Sequence, residues 1–235
     1  MPSYAKLAWQ AKQMFDWAHV LHRQIYDVYS DERLTDFYLA REDVAFTAVP
    51  KSMALMDEQP FSQVFRREHG TFNGLIWAYH WLQVGLYEPL IAGGTRAEKK
   101  QLVQLTVARF WEMVRSERYP TVMPMTSAIA PEFSRRHPRA AVIFDNLHMM
   151  HDIISDVLAS PLIPVDGKRA AIYSQLAEFR NPATNVITMA DWLTMADHMG
   201  GVDAMGGPAG VAAGPGGLGG PAKPRPAAAD SHEHH

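Results

Sequence analysis

Apolar residues three and four apart recur along most of this chain, and that spacing constrains its fold more than any other feature. Leu7, Ala11, Met14, Ala18, Leu21, Ile25 and Val28 form the first such stripe. A period of 3.6 puts them on one face, so a helix is predicted over about 4–30. A second helical stretch starts near Asp31, carries Leu34, Phe37, Tyr38, Val44 and Phe46, and meets a breaker at Pro50. Pro60 opens the most apolar segment, about 60–88, with Phe65, Phe72, Leu75, Trp77, Trp81, Val84 and Leu86. Gly70 and Gly74, four apart in that segment, allow another helix to approach closely, and Pro89 with Gly93-Gly94 closes it. Thr95 is placed to cap a helix over about 95–117. The proline-spaced stretch 119–131 reads as an ordered loop, and Pro138 opens a helix to about 158. Shorter helices are predicted over 168–180 and 188–198. Strand signals are confined to two short, isolated runs, 121–123 and 185–188. The expected class is all-α: a bundle of four long helices with two or three extra short ones.

Composition divides the chain. Ten of the sixteen glycines lie between positions 200 and 220, which leaves six for the first 199 residues. Residues 1–199 therefore read as one helical domain. The Gly/Ala/Pro-rich segment 200–235 has too little large apolar surface to offset its ordering entropy and is expected to be a disordered tail. The tail carries Lys223-Pro224-Arg225-Pro226 and ends in Ser231-His232-Glu233-His234-His235.

The absence of cysteine excludes disulfides, thiolate nucleophiles, iron–sulfur clusters and Cys-ligated zinc. A formal charge of −3 without basic blocks argues against binding to nucleic acid through phosphate contacts. No run approaches the ~20 apolar residues of a membrane span. The N-terminus lacks the regions of a signal peptide, so a cytoplasmic protein is expected. Neither a Gly-rich phosphate loop nor a Gly-x-Ser-x-Gly nucleophile turn is present.

Histidine is where chemistry is expected. Asp145, His148 and Asp152 fall at i, i+3 and i+7 on the 138–158 helix, hence on one face, and His151 lies on its core stripe with Phe144, Leu147 and Ile154. On the 60–88 segment His69, Asn73, Ile76, His80 and Tyr87 form a single polar stripe. His69 and His80 are eleven residues apart, ~16 Å along a helix, and so cannot bind one ion. His22 shares an inward sector with Phe15, Ala18 and Ile25, whereas His19 is expected at the exposed edge. The candidate metal ligands are thus His22, His69, His80, Asp145, His148, His151 and Asp152. The ordinary alternative is a set of core histidines satisfied by hydrogen bonds.

Asp145-x-x-His148 is similar to the Glu-x-x-His motif of ferritin-like di-iron carboxylate proteins, with aspartate for glutamate and one copy instead of a pair. The abundance of histidine is closer to hemerythrin-like bundles, although His148 and His151 are three apart where those pair histidines four apart. The likeness is to a class of architecture, and no family is assigned from it. Imidazole with carboxylate suits iron, with manganese or zinc as alternatives. A multinuclear iron site acting on dioxygen or peroxide as an oxidoreductase is the leading expectation. The competing ones are a mononuclear zinc site activating water, heme held by His22, His69 or His80, and a non-catalytic interaction protein. The last would use Met123 and Met125 as an adaptable docking surface, the tail as a tether, or self-association.

Overall fold

Residues 2–30, 49–52, 64–92 and 94–211 are described by the computed structural model. The second predicted helix lies outside them except at its last residues, as does the tail beyond 211. The first stripe produces α1 (Pro2–Leu7) and α2 (Trp9–Ser30), separated at Ala8. On α2, Ala11, Met14, Ala18, Leu21 and Ile25 are buried, as the spacing requires.

The apolar segment 60–88 is not one rod. It forms α3 (Val64–Glu68), α4 (Gly70–Gly85) and α5 (Tyr87–Ala92), with His69 out of helical geometry at φ −134° and ψ 48°. Pro89 sits in the first turn of α5, where its missing N–H has no intrahelical role, so the chain stays helical past it. α6 (Arg96–Ser116) starts at Thr95, whose hydroxyl accepts from the Glu98 N–H while the Glu98 carboxylate accepts from the Thr95 N–H, a reciprocal cap. The expected loop 119–131 carries α7 (Thr126–Ile129), and α8 (Pro131–Arg136) follows it. Met123 and Met125 are fully buried there, so they belong to the core and offer no docking surface.

α9 (Pro138–Ala159) is the centre of the fold. Sixteen of its 22 residues are buried, against three on α6, so α9 is covered on every side. It packs against α2, α3, α7, α8 and α10 (Lys168–Arg180), while α4 packs on α6. α11 (Met189–His198) and α12 (Gly201–Ala204) follow. The expected all-α class is shown: α2, α4, α6 and α9 are the long helices, and the connections carry short ones. Among the described residues the strand signals leave one antiparallel bridge, between Lys51 and Val186.

The boundary at 199 moves. Residues 200–211 are packed on the bundle. Met205 is fully buried, the Trp81 indole N–H donates to the Gly207 carbonyl at 2.7 Å, and Arg109 Nε donates to the Gly206 carbonyl at 2.5 Å. Gly207 has φ +84°, a backbone conformation that residues with a Cβ rarely adopt, and it lies against the Arg109 guanidinium.

Candidate functional site

Helical phase decides which histidines meet. His19 and His22 sit one turn apart on α2, His80 near the middle of α4, and His148 and His151 one turn apart on α9. His22, His80 and His148 are at most 3 % exposed. The His80 and His148 rings stack at 4.0 Å between centroids and 10° between planes. His22 lies 6.2 Å from His148 and stacks on Phe144 at 3.8 Å. His151 Nδ1 and His80 Nε2 share a hydrogen bond of 2.9 Å, and Phe15 closes over His151 at 4.1 Å. His19 joins this group, 6.0 Å from His151 and 6.2 Å from His22, half-buried and not at the exposed edge that its phase suggests.

Burial removes the water that stabilises an imidazolium, and neighbouring imidazoles add repulsion. His22, His80 and His148 are held far below the usual histidine range, and His151 is pushed down to about 3. All four are neutral at physiological pH, each with one N–H and one lone pair. His22 Nε2, His80 Nδ1 and both nitrogens of His148 have no hydrogen-bond partner although buried. An unpartnered buried polar group costs about 1–3 kcal/mol. Among the described residues no three His, Asp or Glu side chains converge on one point as the rings stand. The His80 and His148 rings lie face to face, so their nitrogens do not point at a common centre.

The other three expected ligands are placed elsewhere. His69 occupies the break between α3 and α4, and its ring is exposed beside Phe65 at 5.3 Å. A departure from helical geometry at its own residue takes it off the stripe that leads to His80. Asp145 accepts from the Thr126 N–H at 2.8 Å, the Thr126 hydroxyl at 2.6 Å and the Trp192 indole N–H at 2.8 Å, tying α7 and α11 to α9. Burial pushes it up to about 7 against the pull of those bonds. Asp152 accepts from the Trp77 indole N–H at 2.8 Å and is pushed up to about 8, chiefly by burial. Neither carboxylate is hydrogen-bonded to a histidine of the cluster. The site is therefore richer in nitrogen, and poorer in carboxylate, than the spacing alone suggests.

Two tyrosines complete the frame. The Tyr87 hydroxyl is bonded to His22 Nδ1, the Tyr26 ring lies 5.1 Å from that of Tyr87, and the Tyr26 hydroxyl donates to the Gln83 carbonyl. Burial raises both phenols well above their ordinary value. Tyr87 follows His80 by seven residues, on the polar stripe read from the sequence, and Tyr26 follows His22 by four on α2.

Among the described residues no helix is long and apolar enough to cross a membrane. No protein-family model matches this chain, and no significant match to it is found among curated proteins or among solved structures.

Proposed function

We propose that this protein binds a transition metal through the imidazoles of His22, His80, His148 and His151, and that it works as an oxidoreductase on dioxygen or peroxide. The observation that carries the reading is the set of buried ring nitrogens on His22, His80 and His148 that lack partners. Neutral imidazoles hold lone pairs ready for an ion without first losing a proton. Iron is the metal we favour. Imidazole suits iron, zinc and copper, whereas manganese prefers the oxygen ligands that Asp145 and Asp152 commit to tryptophans and Thr126. The choice of iron over zinc rests on the frame of Tyr26, Tyr87, Phe144 and Phe15, whose oxidisable and apolar rings suit redox chemistry better than water activation.

The face-to-face stacking of His80 and His148 favours one other reading, an imidazole network that carries no ion. Elemental analysis of freshly purified protein, with anaerobic Fe(II) titration followed by a visible spectrum in air, separates the two. About one or more equivalents of iron, lost in His148→Ala while the helical circular dichroism persists, is the expected result. Less than a tenth of an equivalent of any transition metal, with no uptake of Fe(II), would overturn the metal reading.

A further inference from the structure

Trp9 and Trp17 stand 58 % and 59 % exposed on α2, and Val20, one turn beyond Trp17, is 44 % exposed. Trp9, Gln13, Trp17, Val20 and Gln24 follow one another at spacings of three and four, so they share one stripe. That stripe lies on the side of α2 turned away from the buried Ala11, Met14, Ala18, Leu21 and Ile25. Indole and isopropyl surface left in water along one helix has the make-up of an interface centre. Lys12, Asp16, Arg23 and Asp27 line a single flank of the stripe, their signs alternating along the helix. Asp16, Arg23 and Asp27 are exposed and Lys12 is half-buried, so the charges form a rim.

Those signs fit one arrangement. Two copies of α2 packed antiparallel about a two-fold axis bring like flanks together. The register that sets Trp17 against the partner's Val20 also sets Gln13 against the partner's Gln24. In that register Asp16 lies ~3 Å along the axis from the partner's Arg23, and Lys12 lies equally far from the partner's Asp27. Both offsets are within the reach of a lysine or arginine side chain, and the two-fold axis makes each pair twice. Within one copy Lys12 also pairs with Asp16, an exposed contact that water weakens and that competes little.

We propose that this face of α2 joins two copies of the chain in an antiparallel dimer, with Trp17 and Val20 at its centre and the four charges setting its register. Rim charges decide partner and register more than affinity. A single helix pair falls at the low end of interface size, so dissociation is expected at about 1–100 μM. The dimer does not depend on the metal reading.

Sedimentation velocity on the full chain, from below that range to ~200 μM, reads the association directly. Trp17→Lys is expected to weaken it at least about tenfold. Asp16→Arg sets arginine against arginine across the axis, and Arg23→Asp sets aspartate against aspartate. Each variant alone is expected to be monomeric, with the helical circular dichroism of the wild type. Mixed in equal amounts, the two variants oppose unlike charges at every pair and are expected to form a heterodimer. A wild type that stays monomeric overturns the proposal and leaves the face to a partner of another kind. A dimer that withstands Trp17→Lys and both charge reversals also overturns it, because another surface then carries the contact. Two folded, monomeric variants that fail to associate on mixing overturn the register.

Discussion

Asp145 is a buried carboxyl whose proton affinity the fold raises. In the fold it keeps its proton up to about pH 7, whereas an unfolded aspartate releases it near 4. Between those values the folded chain holds the extra proton, so the contribution of Asp145 to stability is full below about pH 4 and is lost as pH rises towards 7. Urea unfolding of the wild type and of Asp145→Asn across that window checks the sign. The unfolding free energy of the wild type, taken relative to the variant, is expected to fall as pH rises. The same residue marks the limit of reading faces from spacing. The i, i+3, i+7 pattern correctly keeps Asp145, His148 and Asp152 out of solvent. A helical wheel gives a direction and not a partner, and the partners turn out to be Trp192 and Trp77, which lie 47 and 75 residues away in sequence.

At the scale of elements, α4 depends on one small residue. A Cβ at Gly74 would stand 2.6–2.8 Å from the Tyr119 side chain, closer than any real contact. Gly74→Ala is therefore expected to destabilise the protein by about 1–3 kcal/mol despite alanine's better helix propensity. Adding Tyr119→Leu, which frees the space, should recover part of that loss in the double variant. The Gly70/Gly74 spacing points to the close approach of another helix, whereas the structure places the side chain of Tyr119, from the loop after α6, against Gly74. Gly70 has nothing nearby. Helix starts were legible at Thr95 and Pro138, where a cap or proline supplies a local reason, but not at Pro131, where α8 opens. The break at His69 was not read, although the polar run Arg66-Arg67-Glu68-His69 followed by Gly70 is a local signal for it, and it decides that His69 and His80 part company.

At the scale of the whole molecule, the last described turn of chain belongs to the body. Ending the protein after Met199 would strip Met205 from the core and leave the Trp81 N–H and the Arg109 guanidinium without their carbonyls. Loss of one buried methionine and two buried hydrogen bonds gives an expected cost of at least about 3 kcal/mol, measurable as a lower urea midpoint and a changed Trp81 fluorescence. Glycine content predicted a tail from 200 onward because Gly-rich sequence rarely buries area. Here Gly206 and Gly207 adopt positive φ at 108° and 84°, and Met205 supplies the apolar side chain that the composition undercounts.

The histidine cluster also joins points that are far apart along the chain. Sixty-five residues separate His22 from Tyr87, and 71 separate His80 from His151. Each junction closes a long loop whose entropy is spent before any contact rewards it. Such contacts tend to form after the crest of the folding barrier. Substitutions at His80 or His148 are therefore expected to leave the refolding rate nearly unchanged and to quicken unfolding, so the cluster governs how long the native state persists once formed.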